Sequence, residues 1–304
     1  VRIAVTGASG FVGGAVATAL ADADHEVVGF GRIAEGWSHP HARYRYWDLT
    51  TGPLRADRDF EAVVHCAALA DDWAPRDLAM RVNRDGTRAV VRSFPDARIV
   101  HLSTSSVYDA FTPGVDVRED AAPVRRFLSA YAESKTLAEF ELAGADAVIL
   151  RPHAVYGPGD TTLLPRILAG VRRGRLVLPD GAEVRHSLTH IRNLVLAVRR
   201  ALDPASPRGT YNIADDVPVL LSVVLREFLE RRGVRARIQP LPYRAAFALA
   251  GSLESAARVT GRRPRLTRYA VSQLGLERTL DLSAARVALA YRPAPTTLEG
   301  AHLW

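Results

Sequence analysis

The stretch Tyr131-Ala132-Glu133-Ser134-Lys135 contains the only lysine in the chain. Lysine and arginine together number 40, so the remaining 39 cationic side chains are all arginine. A lysine dropped at random would fall four residues after one of the nine tyrosines in roughly 3% of placements, so chance is a poor account of the pair. The spacing has a chemical use. Residues i and i+4 share one face of a helix, which predicts that Tyr131 and Lys135 point the same way. A free phenol has a pKa of about 10. An ammonium beside it favours the phenolate and brings the group into the range where general acid–base work is practicable. Lysine suits this task because it is a compact point charge, whereas arginine is a planar fork.

A second constellation opens the chain. A strand-like run, Arg2-Ile3-Ala4-Val5-Thr6, leads directly into Gly7-Ala8-Ser9-Gly10-Phe11-Val12-Gly13. Glycines at 7, 10 and 13 give a tight turn and let backbone N–H groups approach a ligand closely. The helix that follows brings the partial positive charge of its N-terminus to the same place. Strand, glycine turn and helix in that order predict a dinucleotide pyrophosphate site, lined by Gly7, Ser9, Gly10, Phe11, Val12 and Gly13. The ammonium of Lys135 is then of a kind to bond the nicotinamide ribose. The next strand ends Phe30-Gly31-Arg32, with no acid until Glu35. An acid there would hold a ribose 2′-hydroxyl, while Arg32 offers a bidentate fork to a 2′-phosphate. NADP(H) is therefore favoured, with NAD(H) as the alternative. Asp48, after the following strand, reads either as an adenine contact or as a turn residue.

The elements that must position these groups alternate along the chain. Strand-like runs at 2–6, 26–31, 62–67, 97–103 and 147–151 are separated by helical patterns at 11–23, about 74–93 and 129–144. Such alternation predicts an α/β fold, a Rossmann-type doubly wound parallel sheet. After Tyr156-Gly157-Pro158-Gly159 the pattern changes. Helix is predicted at about 162–173, a strand and turn at 175–182, helix at 191–202 and a strand at 210–214. Beyond about 218 the chain reads as helix-rich, with prolines at 240, 242, 264, 293 and 295. The expected division is residues 1–155 plus about 187–214 for the nucleotide domain, and about 156–186 plus 215–304 for a smaller, helix-rich substrate lobe.

Composition bounds the partners. With 48% apolar and 24% charged residues the chain is ordinary globular material. No run approaches the roughly eighteen apolar residues of a membrane-spanning helix, and no basic-then-apolar leader opens the sequence given. The single cysteine, Cys66, rules out an internal disulfide and fits a reducing cytoplasm. The net charge of +7 is spread along the chain, without a zinc, helix-turn-helix or RNP pattern. It therefore speaks for an anionic ligand or a solvated surface, not for nucleic acid. No metal site is expected. The stretch 243–259 is amphipathic and reads as a core or lid helix, with a membrane surface as the alternative.

Taken together, the glycine loop, Tyr131-x-x-x-Lys135 and Leu102-Ser103-Thr104-Ser105-Ser106-Val107-Tyr108 resemble an extended short-chain dehydrogenase/reductase. The resemblance covers essentially the whole chain. It implies that Thr104 bonds the substrate oxygen and that Tyr131, Lys135 and Thr104 form the catalytic set. Further cofactor contacts are implied at Leu49, at Ala67 and Ala68 within His65-Cys66-Ala67-Ala68, at Asn83, and at Pro152 and His153. His153 itself reads as a packed, hydrogen-bonded loop residue. Asp109 replaces the glycine that the family pattern has after Tyr108, which puts the local loop shape in question. The resemblance also implies a small-molecule substrate and a homodimer through sheet-flanking helices.

Within the family the substrate branch turns on a few positions. Dehydratases place Asp-Glu where this chain has Ser105 and Ser106, which argues against dehydration. Epimerases usually carry Asn where this chain has Ala154, and use an arginine for which Arg185 is a loose match. Arg151-Pro152-His153-Ala154-Val155-Tyr156-Gly157-Pro158, Leu188-Thr189-His190-Ile191-Arg192-Asn193 and the tail Leu266-Thr267-Arg268-Tyr269 are similar to the 3β-hydroxysteroid dehydrogenase and sterol 4α-carboxylate 3-dehydrogenase branch. The expected activity is interconversion of a secondary alcohol and a ketone. A nucleotide-sugar epimerase with tightly held NAD is the alternative, and an NADP-binding sensor a further one. Ser105, Ser106, Ala154 and Arg185 are the candidate substrate contacts.

Overall fold

Short β-branched runs closed by glycine or polar residues form the strands of the central sheet. In the computed structural model, which describes residues 1–54 and 59–304, β1 (Arg2–Thr6) feeds α1 (Phe11–Ala21). β2 (Glu26–Gly31), β3 (Arg43–Tyr46) and β4 (Ala62–His65) follow. The long helical stretch after β4 is α2 (Arg76–Ala79) and α3 (Gly86–Ser93), joined by a π-turn over Met80–Asp85. Next come β5 (Arg98–Leu102), β6 (Gly114–Val117), α4 (Ala130–Phe140), β7 (Ala147–Pro152), β8 (Val155–Tyr156) and α5 (Leu163–Gly170). β9 (Arg175–Pro179), β10 (Arg185–His186) and β11 (Thr189–His190) precede α6 (Ile191–Ala201) and β12 (Gly209–Ile213). The rest is β13 (Val219–Leu220), α7 (Leu221–Arg231), β14 (Arg237–Leu241), α8 (Tyr243–Thr260), α9 (Arg268–Gly275), β15 (Arg278–Leu280) and α10 (Ser283–Ala288).

Seven parallel strands form the main sheet in the order β12-β7-β5-β4-β1-β2-β3. The chain order reverses between β1 and β4, and ligands of such sheets bind in the crevice that this reversal opens at the carboxyl ends of the strands. Thr6 stands opposite His65 there, and His65 opposite His101. One face of the sheet packs on α1 and α6 through Val16, Leu20, Leu194 and Val198. The other is filled by Phe30, Trp47, Phe60 and Phe94, whose rings meet largely edge to face at 5.3–6.5 Å.

Smaller sheets build the region around the carboxyl ends. One has the order β13-β10-β15-β6, and β14 pairs with β9. β6 thus belongs with β15 and not with the main sheet, and Gly114 stands opposite Arg278. The stretch beyond 218 holds β14 and β15 among its helices; at five and three residues they carry too little periodicity to show in the sequence. α8 buries Ala246, Ala250, Glu254 and Ala257. Glu254 accepts from the backbone N–H and Nε of Arg268 at 2.7 and 2.9 Å, so α8 is docked on α9. Among the described residues no helix is long and apolar enough to cross a membrane.

Candidate active site

The glycine turn is forced by close backbone approach. Gly7 has φ +73°, and a Cβ there would lie 2.8 Å from the Ala67 backbone. A Cβ on Gly13 would lie 2.1 Å from the Gly7 carbonyl oxygen. The first turn of α1 begins at Gly10 with no side-chain cap, so the N–H groups of Phe11, Val12 and Gly13 face the turn. Ser9 sits against the end of β2, where its hydroxyl would be 2.8 Å from a Cβ on Gly31. Arg32 follows directly and is exposed. Asp48 accepts from the Thr50 N–H at 2.9 Å and its hydroxyl at 2.8 Å, capping a 3₁₀ turn whose first residue, Leu49, is buried in the aromatic cluster. Ala67 N–H donates to the Thr6 hydroxyl at 3.3 Å, and Ala68 continues that loop along the crevice.

α4 is set by its cap. The Ser129 hydroxyl accepts from the Ala132 N–H at 3.2 Å. One turn on, Tyr131 and Lys135 fall on the same face. Thr104 follows β5 by two residues, and its hydroxyl favours the Tyr131 phenolate. Burial pushes that phenol above its ordinary value, and the Thr104 contact partly offsets the rise. Lys135 is 2% exposed; its Nζ donates to the Leu102 carbonyl at 2.7 Å and lies 3.1 Å from His101 Nε2. Burial brings its pKa down to about 8, against a smaller upward pull from Glu139. The ammonium is thus engaged with the strand end, and the Tyr131 phenol is raised, not lowered as the spacing alone led one to expect.

Asn83 does its work from the π-turn. Its side chain accepts from the Leu69 N–H at 2.7 Å and donates to the Ser134 hydroxyl at 2.8 Å. Ser134 in turn donates to the Tyr131 carbonyl at 2.8 Å, so the loop after β4 is tied to α4. Beneath them Arg151 and Glu139, both nearly inaccessible, form a bidentate pair at 2.9 and 2.6 Å.

Beyond Thr104 the chain turns through Ser105 and Ser106. Thr104 donates to the Ser106 hydroxyl at 3.0 Å, and Ser106 meets the Tyr269 hydroxyl at 2.6 Å. Ser105 meets His153 Nδ1 at 2.8 Å, and His153 Nε2 lies 3.1 Å from His186 Nδ1. Pro152 ends β7 and delivers His153 to that position. Ala154 adopts φ +45° and packs its methyl against the Tyr156 cluster. Arg185 is not part of this assembly. It is exposed, and its guanidinium donates to the Pro218 carbonyl at 3.4 Å. Sequence reasoning assigned no site role to His186, Tyr269 or Arg278, which stand on this side; Tyr269 entered only as part of the tail motif. The only signal was the alternation of a strand, because a buried His186 requires an outward Arg185.

A sequence profile of the NAD dependent epimerase/dehydratase family matches residues 3–214. The chain is 30% identical to the 2-alkyl-3-oxoalkanoate reductase of Shewanella oneidensis, across 97% of this chain and 83% of that protein. It is 26% identical to the decarboxylating sterol-4-alpha-carboxylate 3-dehydrogenase of Mus musculus, across 97% and 87%. Among solved structures, UDP-glucuronic acid 4-epimerase from Bacillus cereus, in complex with UDP-glucuronic acid and NAD, superposes with a TM-score of 0.73 at 20% identity, across 99% and 96%.

Proposed function

The chain belongs to the NAD dependent epimerase/dehydratase family, and from that premise we propose that it interconverts a secondary alcohol and a ketone, with Tyr131 as general acid/base. The observation that carries this reading is that Thr104 favours the Tyr131 phenolate while Lys135 lies buried one helical turn on in α4, at the carboxyl edge of a doubly wound sheet. The glycine turn fits a dinucleotide, because side chains on Gly7 or Gly13 would fill the cradle. The cofactor, when bound, supplies or takes the hydride. The chain's own residues do the rest. Thr104 orients the substrate oxygen. Tyr131 gives that oxygen a proton in reduction and takes it back in oxidation. Lys135 holds the ribose. Asn83, through Ser134, fixes the turn of α4 that carries Tyr131.

Two relatives support the alcohol–ketone reading, since their names describe reduction at a 3-oxo carbon and oxidation at a sterol 3-position. A nucleotide-sugar epimerase is the second reading, favoured by the likeness to the UDP-glucuronic acid 4-epimerase structure. It ranks second because Ala154 offers no side-chain amide and Arg185 is directed to Pro218. Tyr131→Phe tests the proposal: turnover of alcohols or ketones should be abolished with cofactor affinity kept. Turnover that survives the change refutes it. NADP(H) is the proposed cofactor, on the strength of Arg32 at the end of β2. Arg32→Ala should weaken NADPH by roughly tenfold or more, the order of a hydrogen-bonded charge pair, with NADH little changed. Equal losses for both would remove Arg32 from that role.

A further inference from the structure

An ammonium has three hydrogens to give and accepts nothing, and the fold accounts for two of those on Lys135. One goes to the Leu102 carbonyl at 2.7 Å and one to His101 Nε2 at 3.1 Å. Both acceptors belong to β5. A single hydrogen bond would leave the ammonium free to turn about that bond, whereas two fix the direction of the third N–H. Glu139, one turn further along α4, is held in its bidentate pair with Arg151. The second acceptor is thus a ring that burial keeps neutral, so the ammonium is oriented without being neutralised. His101 goes short in doing this. Because Nε2 accepts, the ring hydrogen of neutral His101 sits on Nδ1. That nitrogen is buried without a partner, an exception among buried polar groups that calls for a cause. His65, whose ring centroid lies 5.0 Å away, has nothing to offer it. The Thr87 hydroxyl donates to the Asn83 carbonyl at 2.7 Å, so its oxygen accepts from His65 Nε2 at 3.0 Å. Neutral His65 then accepts from the Thr6 hydroxyl at 2.7 Å through Nδ1. Both of its nitrogens are taken. Among the described residues the His101 ring therefore has Lys135 as its one hydrogen-bonding partner.

Resting on the alcohol–ketone reading, we infer that His101 is a positioning residue: it takes one N–H of Lys135 and so aims the third, away from β5, at the cofactor ribose in the crevice. The role explains both oddities at once. The ring gives up a partner on Nδ1 so that Nε2 can serve the ammonium. The chain keeps a lysine here because a planar guanidinium could not direct one N–H between two acceptors on the same strand.

Lys135 is the only lysine, so protein isotope-labelled at the lysine side-chain nitrogen gives a single NMR signal from that position. Its titration is followed without cofactor, so the measurement does not depend on turnover. The titratable groups around the ammonium are Tyr131 and Glu139 from α4, His101 from β5, and His65 and Cys66 from the end of β4. An acceptor favours the charged ammonium, so its removal lowers the titration from its place at about 8. His101→Met, an apolar chain of similar reach, should lower it by roughly one unit or more, the scale of a hydrogen bond to a charged group. His101→Gln carries an amide oxygen to the place of Nε2 and should leave it where it was. Affinity for the tighter-bound of NADPH and NADH should follow the same order, falling roughly tenfold in His101→Met and little in His101→Gln. The ring also decides the matter without the methionine variant. In histidine-labelled protein the His101 signal, assigned by its loss in His101→Gln, should carry its hydrogen on Nδ1. A hydrogen on Nε2 overturns the inference. So does a lysine titration, or a cofactor affinity, that His101→Met leaves unmoved. The expected shift and affinity loss with no Tyr131-dependent turnover would keep His101 in its role and sink the oxidoreductase reading alone.

Discussion

Two cations border the candidate site, Lys135 buried and Arg278 half-buried, and each is backed by a pair of histidine rings. Lys135 lies 3.1 Å from His101, whose ring centroid is 5.0 Å from that of His65. Arg278 stands opposite His186, whose ring is 5.2 Å from that of His153. In both pairs one nitrogen is buried without a partner, His101 Nδ1 and His186 Nε2. The pairs differ in how they are assembled and in what the cation does with its charge. His65 and His101 are register partners on adjacent main-sheet strands, and threonines hold the first of them: His65 meets the hydroxyls of Thr6 and Thr87 at 2.7 and 3.0 Å. His153 comes from the turn after β7 and His186 from β10, and the pair reaches the site through Ser105. The first module is rigid scaffolding beneath a fixed task. The second borders a cavity, and its cation is spent on the carbonyls of the 109–112 loop and the Ser272 hydroxyl.

The largest effect expected from this contrast is on Lys135. A guanidinium is bulkier than an ammonium, and at 2% exposure there is no room for it without overpacking, which costs about 1–3 kcal/mol. It would also lose the point-charge geometry that serves Leu102 and, in the proposed reaction, the ribose. Lys135→Arg should lower kcat by at least about a hundredfold, the lower range of a general acid–base contribution. Arg278→Lys, in the roomier module, should cost less than about tenfold on the same scale. Steady-state kinetics on the two variants decide the matter. Similar losses would show that the modules are equivalent and that the contrast drawn from their packing is mistaken.

The two modules also differ in how legible they were. The glycine turn and the Tyr131–Lys135 pair are contiguous, and their residue types have few other uses. Local sequence therefore carries them, and the doubly wound order with them. His65 and His101 fell inside runs read as strands, but only the register of β4 and β5 brings their rings together. Arg278 had no signal at all: it is one arginine among 39, and its place depends on a three-residue strand pairing with a two-residue one. Arg185 attracted attention as a loose match to the arginine that epimerases use, and strand alternation then sends it outward when His186 goes in. Backbone-built sites are written in consecutive residues. Side-chain-built sites, assembled from four or five distant segments, are written in the fold.

A smaller effect follows from the histidines themselves. Burial foremost brings His65 and His186 down to about 3, and holds His101 and His153 well below their ordinary 6.5. Lys135 adds to the depression in the first pair and Arg278 in the second. In the unfolded chain these rings take up protons near 6.5, while the folded chain refuses them until far lower pH. Their contribution to stability is therefore complete above about 6.5 and is lost as pH falls through the window down to about 3. Each ring contributes a slope of up to about 1.4 kcal/mol per pH unit. Urea midpoints measured at successively lower pH should fall steeply, and His101→Gln or His186→Gln should each flatten the acid limb by one ring's share. An acid limb unchanged in both variants would mean that these rings are already charged in the folded protein.

The smallest effect belongs to Tyr269, which reaches the site from α9 and touches the reacting pair only through intermediaries. Its hydroxyl meets Ser106 at 2.6 Å, and Ser106 accepts from Thr104 at 3.0 Å. Thr104 in turn accepts from the Ser106 backbone N–H at 3.1 Å, so the turn holds itself when the phenol is gone. Burial raises the Tyr269 phenol, so it stays protonated near neutrality and is not a competing base. Tyr269→Phe removes one neutral hydrogen bond and should lower kcat by about two- to tenfold, with the pH profile of kcat unchanged in shape. A shifted profile, or a loss as deep as that of Tyr131→Phe, would carry a different meaning. The proton would then travel from Tyr131 through Thr104 and Ser106 to Tyr269, and α9 would belong to the chemistry and not to its walls.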